Sequence, residues 1–367
     1  MLIDIIAGAR PNFMKIAPII RALQRRAAEG ADLCYRLVHT GQHYDARLSQ
    51  AFFDQLGIPE PDVNLEVGSG TQAEQTAGVM VGYEAVCGEA LPAICLVVGD
   101  VNSTMACAIT ARKLGVPVAH VEAGIRSGDW SMPEEINRVV TDSITNWFYT
   151  TSEHANENLR RAGVDESRIR MVGNTMIDTL LANQDRFEPP DFWEAEALDE
   201  RSYFVLTLHR PANVDLPDRL QLLLDRVALS ARELPVVFPA HPRTRRALQT
   251  LAVPDNLRVV EPQPYLQFNY MVRSAKAVIT DSGGITEETT VMGVPCITLR
   301  DSTERPETIQ EGTNVLVGSD PEALSSAMSQ IFLGRWKEGR IPPMWDGRAG
   351  ERIIADMEQL HQGSGLG

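Results

Sequence analysis

A chain of 367 residues and 40.5 kDa has room for two domains, each with its own core, which excludes fibrous and miniature classes. Hydrophobic residues at 44% and charged residues at 23% lie near globular averages, which speaks against disorder and against a membrane-spanning protein. Lys and Arg number 34 against 49 Asp and Glu, a formal charge of −15, so no nucleic-acid or membrane partner is expected and any bound phosphate must be held locally.

The first predicted element is a buried strand over 2–7; the start is too short, and carries an acid too early, for a signal peptide. β-Branched runs at 35–39, 93–98, 116–121 and 147–150 read as further buried parallel strands. Helical patterns separate them, most clearly where Ile136, Val139, Val140, Ser143 and Ile144 recur at the spacing of one apolar helix face. Residues 185–201, with Pro189-Pro190 and several acids, carry no strand signal and read as a linker. Strand signals then restart at 203–208, 236–239, 257–260, 277–280, 295–298 and 315–317. This alternation predicts an α/β protein of two Rossmann-like doubly wound domains, 1–175 and 176–347, with a helix at 348–362 completing the first. Two such sheets are expected to face each other across a cleft, with ligands at the carboxyl ends of the strands. The five cysteines form no Cys-x-x-Cys pair and mostly sit in apolar runs, as thiols of a reducing compartment do, so a cytoplasmic location is expected.

The strand-to-helix turns carry the chemistry. The first, Gly-Ala-Arg-Pro-Asn-Phe-Met-Lys (8–15), lacks both the dinucleotide G-x-G-x-x-G and the Walker G-K-[ST], so no nicotinamide or nucleoside-triphosphate cofactor is expected. Arg10 and Lys15 can place cations at the helix start, although Lys15 fits a solvated helix face equally well. Asp100 follows the most apolar strand and reads as helix cap, phosphate-loop element or acid/base group. Glu122 ends another apolar strand, where a carboxylate is costly unless it is used. Glu134 follows Pro133 at a helix start and stands four residues before Arg138; helix-start acid and catalyst are equal readings.

In the second domain His209 and His241 end consecutive strands, but no His-x-His, H-E-x-x-H or carboxylate grouping completes a metal site, and no metal is expected. Ser282, Gly283 and Gly284 open a helix after a strand, where free N–H groups and the helix dipole suit a diphosphate. Glu288, one turn on, can accept ribose hydroxyls. The alternative is an ordinary tight turn with Ser282 as helix cap.

Taken together, the blocks 8–15, Thr-Gly-Gln-His-Tyr-Asp (40–45), Gly-Asp-Val-Asn-Ser-Thr (99–104), His-Val-Glu-Ala-Gly-Ile-Arg (120–126), Met-Pro-Glu-Glu-Ile-Asn-Arg (132–138), Gly-Asn-Thr (173–175), Leu-His-Arg-Pro (208–211), Asp-Ser-Gly-Gly-Ile-Thr-Glu-Glu (281–288) and Arg-Asp-Ser-Thr-Glu-Arg-Pro-Glu (300–307) span nearly the whole chain. In them the sequence resembles the non-hydrolysing UDP-N-acetylglucosamine 2-epimerases, of glycosyltransferase-B fold. The resemblance implies reversible epimerisation of UDP-GlcNAc and UDP-ManNAc at C2, through loss of UDP to 2-acetamidoglucal and its re-addition. It implies Asp100, Glu122 and Glu134 as acid/base carboxylates and His209 as a catalytic group beside the diphosphate. Arg10, Lys15, Arg138, Ser282, Gly283, Gly284 and Glu288 are implied to bind the UDP-sugar, with His241 and Arg305 as further candidates. No cofactor is implied; a homodimer is expected. The chain departs from the family pattern at Ala9 and Asn12, where many members carry Thr and Glu, and at Tyr44-Asp45, which argues against allosteric activation by substrate. A hydrolysing epimerase releasing ManNAc, a 2-epimerase of a UDP-diacetamido-uronic acid, a glycosyltransferase of the same fold and a nucleotide-sugar binding module share some of these features.

Overall fold

The apolar runs do become parallel strands, and they do so twice. The computed structural model describes residues 1–41, 53 and 55–363, with residues 10, 211 and 212 described by their backbone alone. The block Gln42-His43-Tyr44-Asp45 lies outside the described residues. Two units result, Met1–Ala182 with the segment from Pro343 on, and Asn183–Pro342.

In the first unit the sheet comprises β1 (Leu2–Ala7), β2 (Cys34–His39), β3 (Val63–Asn64), β4 (Ile94–Val98), β5 (Val118–Val121), β6 (Trp147–Thr150) and β7 (Ile169–Met171). Their spatial order is β3-β2-β1-β4-β5-β6-β7, and every pairing is parallel. In the second unit β8 (Phe204–Thr207), β9 (Val236–Pro239), β10 (Leu257–Val260), β11 (Ala277–Thr280), β12 (Cys296–Thr298) and β13 (Asn314–Leu316) repeat the pattern as β10-β9-β8-β11-β12-β13. Each order reverses beside its first strand, the switch point at which open α/β sheets bind ligands beyond the carboxyl ends. Strands buried on both faces need no polar side, which is why β4 reads Ile-Cys-Leu-Val-Val with every residue buried.

The helices relevant to the site are α1 (Arg10–Ala28), α2 (Gln72–Glu89), α3 (Asn102–Lys113), α4 (Pro133–Ile144), α5 (Glu153–Arg161) and α6 (Thr175–Asn183) in the first unit. The second unit has α7 (Pro211–Val214), α8 (Pro217–Ala231), α9 (Pro242–Leu248), α10 (Tyr265–Ser274), α11 (Gly283–Met292), α12 (Pro306–Gln310) and α13 (Pro321–Phe332). The last, α14 (Ala349–Gln362), returns to the first unit. It lies close against α1: a Cβ built at Gly350 would sit 2.7 Å from the carbonyl oxygen of Pro18. Asp178 of α6 accepts the Gly350 N–H at 2.8 Å, so α6 belongs with the first unit and the division falls at 182 and 343 instead of 175 and 347.

Three expectations are corrected. Residues 185–201 are not a free linker: Phe187 and Leu198 are buried, and Trp193 packs edge-on against Tyr203 and Tyr270, at 5.3 and 5.1 Å between centroids, so its apolar side chains outweigh its acids. The two short strands β3 and β7 were not anticipated. Most tellingly, α4 buries its polar face, with Glu135, Asn137, Arg138, Thr141 and Asp142 inside and Ile136 44% exposed. The burial of that face is explained by the site it serves. Among the described residues no helix is long and apolar enough to cross a membrane.

Candidate active site

In the first unit the turns after β1, β4 and β5 converge. Asn12 accepts the N–H groups of Gly8 (3.0 Å) and Ala9 (2.9 Å) and donates to the Val98 carbonyl (3.3 Å), tying the first turn to the end of β4. Arg10 opens α1, and its side chain lies outside the described atoms. Lys15, buried on the same helix, donates to a carboxylate oxygen of Glu122 and so does not stand on a solvated face. Gly99 makes this approach possible. It has φ +67°, and a Cβ there would lie 2.9 Å from Lys15 Nζ and 3.4 Å from Glu122 Oε2. Glu122 itself has φ +68°, a left-handed conformation that costs a non-glycine residue about 1–3 kcal/mol and persists only where the surroundings impose it.

Asp100 is not the cap of α3, whose N-cap residue is Val101. Its carboxylate pairs instead with Arg138 of α4, while its carbonyl accepts from Asn137 Nδ2 at 2.8 Å. The Glu134–Arg138 pair expected from spacing does not form, because Arg138 turns inward to Asp100. Glu135 is spent on structure, accepting from Ser127 N (2.8 Å), Ser127 Oγ (3.0 Å) and Gly128 N (3.1 Å). Glu134 remains exposed, with no hydrogen-bond or ion-pair partner among the described residues. Thus Asp100, Glu122, Lys15 and Arg138 are brought together at the ends of adjacent strands, and Glu134 stands at the start of the helix that supplies Arg138.

In the second unit α11 begins without a side-chain cap: Ser282 occupies the cap position, but its hydroxyl makes no capping bond and its N–H donates to Thr280 Oγ1 at 2.9 Å. The first N–H groups of the helix are left for an anion. Arg300, which sequence reasoning assigned no role, lies beside them. Its Nη1 is 3.7 Å from a Cβ built at Gly283 and donates to Glu304 at 2.8 Å, while its buried Nη2 has no partner among the described residues.

His209 lies two residues past β8, with Nδ1 2.6 Å from Asp281 and a side chain 57% exposed. Asp281, also unassigned from sequence, accepts the N–H groups of His209 (3.1 Å) and Arg210 (3.0 Å) and the amide of Asn213 (3.0 Å). Burial alone would raise its carboxyl, but these partners, His209 foremost, hold it below the usual carboxylate range. Arg305 donates to Glu287 at 2.5 Å. His241 is exposed and caps α9, accepting from Arg243 N at 3.4 Å. Among the described residues no three His, Cys, Asp or Glu side chains gather as a metal site.

Glu288 is 4% exposed, and its carboxyl accepts from Tyr265 Oη at 3.2 Å. Burial pushes it up to about 7 from the ordinary 4.5. Between those values the folded chain keeps a proton that the unfolded chain has released, so stability falls as pH rises through this window. Glu288→Gln is therefore expected to melt about 5 °C above wild type at pH 8, with the difference shrinking toward pH 5, as read by calorimetry in both buffers. An equal difference at both pH values would contradict a buried, reluctantly ionised carboxyl.

The family profile described as UDP-N-acetylglucosamine 2-epimerase matches residues 25–358. A Methanocaldococcus jannaschii protein named UDP-N-acetylglucosamine 2-epimerase is 40% identical, the match covering 96% of this chain and 98% of that one. A Pseudomonas aeruginosa protein named UDP-2,3-diacetamido-2,3-dideoxy-D-glucuronate 2-epimerase is 38% identical over 98% of this chain and all 100% of its own. The crystal structure of M. jannaschii UDP-GlcNAc 2-epimerase in complex with UDP-GlcNAc and UDP superposes with a TM-score of 0.86 at 39% identity, covering 98% of this chain and 100% of that chain. The two doubly wound sheets are those of the glycosyltransferase-B fold. With strand-end carboxylates in one unit, an uncapped helix start in the other and a profile match over nearly its whole length, this chain belongs to the UDP-N-acetylglucosamine 2-epimerase family.

Proposed function

We propose that the chain interconverts UDP-GlcNAc and UDP-ManNAc without net hydrolysis. The observation that carries this reading is the set of carboxylates at the ends of β4 and β5, with Asp100 held by Arg138 and Glu122 by Lys15. In the proposed reaction one carboxylate removes the C2 proton as the C1–O bond breaks. The bonding pair leaves with the β-phosphate, giving 2-acetamidoglucal and UDP. The reverse step re-forms C1–O and returns a proton to the opposite face of C2.

A C2–H so weakly acidic needs a base acting together with stabilisation of the departing diphosphate. The open amides of α11, Arg300 and His209 would supply the latter, and Glu288 would accept ribose hydroxyls. Glu134, exposed and unpartnered among the described residues, completes the acid/base set. Product analysis by NMR tests the proposal: UDP-GlcNAc should give UDP-ManNAc at equilibrium, whereas free ManNAc and stoichiometric UDP would point to the hydrolysing reaction.

The P. aeruginosa relative, at 38% identity, favours a second reading in which the substrate is a UDP-diacetamido-uronic acid. Competition between the two UDP-sugars, read as kcat/KM, separates these substrates.

His209→Asn is expected to lower kcat by about 10²-fold with KM and melting temperature near wild type, because the ring acts on charge that develops only as C1–O breaks. The backbone bonds of residues 209 and 210 to Asp281 survive this change, and so large a side-chain exposure leaves little packing to lose. Steady-state rates beside a melting curve check this; retained kcat with early melting would reduce His209 to a structural role.

A further inference from the structure

Resting on the assignment of Glu122 to the sugar chemistry, we infer that Asp142 is the positioning residue that sets the Glu122 turn. Its carboxylate sits on the buried face of α4 and gathers three donors from the segment that carries Glu122. His120, two residues before Glu122, approaches with Nδ1 at 2.7 Å; Gly124, two residues after, donates its N–H at 3.1 Å; Arg126 donates Nη1 at 2.6 Å. The other ring nitrogen of His120 donates to the Gly99 carbonyl at 2.8 Å, so the same carboxylate also references the β4 turn that leads into Asp100. Because a carbonyl and an ionised carboxylate can only accept, the ring donates from both nitrogens. Burial by itself would push the Asp142 carboxyl up, but His120 and Arg126 hold it below the usual range.

This arrangement accounts for two features left open by packing alone. A left-handed Glu122 needs surroundings that impose it, and the Gly124 and His120 bonds clamp the chain on both sides of it. An amphipathic helix that turns its polar face inward loses apolar burial, and α4 does so while carrying Glu134, Asn137, Arg138 and Asp142 on one rigid element. Asp142 thereby refers the carriers of all three carboxylates to a single point, without touching substrate itself.

Asp142→Ala in the full chain should lower kcat about 10²-fold while KM and the UDP dissociation constant stay within about threefold of wild type, the signature of lost positioning. Asp142→Asn should recover activity to within about tenfold, since its Oδ1 can still accept from Gly124 and Arg126 while its amide donates to a ring that keeps the proton on Nε2. In a Glu122→Gln background, Asp142→Ala should add less than about threefold, because the group it positions is already gone. An equal loss in both backgrounds, or wild-type kcat in Asp142→Ala, would overturn the inference. Wild-type turnover in Glu122→Gln alone would instead overturn the assignment beneath it. Should Asp142→Ala not fold, His120→Gln, which breaks the link to Gly99, carries the same expected loss and non-additivity, and unchanged kcat there overturns the inference.

Discussion

Glu122→Gln is expected to lower kcat by about 10²–10⁴-fold, the usual contribution of a general acid or base, with UDP affinity within about threefold of wild type. The glutamine keeps the shape of the carboxylate and can still accept from Lys15, and it is no worse suited than glutamate to φ +68°. The fold should therefore survive, which separates chemistry from packing. Glu122 lies in the first unit, whereas the uncapped helix start and Arg300 proposed to hold the diphosphate lie in the second. Turnover assays paired with UDP calorimetry check both halves of the expectation. Wild-type kcat would remove Glu122 from the acid/base set, and a large loss of UDP affinity would move it to nucleotide binding.

Gly283→Val should cost UDP about 10²-fold or more in affinity, since two charge-assisted hydrogen bonds at about 1.5–3 kcal/mol each are at stake and 1.4 kcal/mol is tenfold. The substitution is tolerable to the fold: a Cβ at Gly283 meets only Arg300 Nη1 at an ordinary 3.7 Å, and its backbone is not left-handed. What the branched side chain would fill is the space in front of the first amides of α11. Gly99→Ala makes the contrasting case, because there a Cβ meets Lys15 Nζ at 2.9 Å in a left-handed residue and the site itself is strained. Calorimetry on folded Gly283→Val decides; undiminished UDP affinity would return the turn to an ordinary strand-to-helix connection.

The strands that sequence located to the residue, 2–7, 147–150, 236–239, 257–260 and 277–280, are short, largely apolar runs in which the only charges are Asp4 and Arg258. β7 escaped because it is three residues long with Arg170 at its centre, and β3 because two residues carry no period. The aromatic residues at 187, 192 and 193 were outvoted by neighbouring acids and prolines, yet they decide where that segment packs.

For the site, the legible part was position, because a charged residue just past an apolar strand has few structural excuses. Asp100, Glu122 and His209 are singled out that way as candidates, and Arg300, two residues beyond β12, satisfies the same rule. Partnership was not legible. Helical spacing assigned Arg138 to Glu134, but a buried guanidinium pairs with the partly buried carboxylate beside it, which offsets its desolvation, and leaves the solvated one to water. Asp142 was hidden by the apolar spacing of α4, since periodicity tells which face is apolar but not that a polar network will claim the interior.

The central claim, cleavage of C2–H and C1–O with return of a proton to the opposite face, is tested most directly by incubating UDP-GlcNAc with the protein in D2O and following both UDP-sugars by NMR. UDP-ManNAc is expected to carry deuterium at C2, with deuterium also entering the recovered UDP-GlcNAc as the reaction reverses. Interconversion with C2 protium fully retained in both sugars would contradict it.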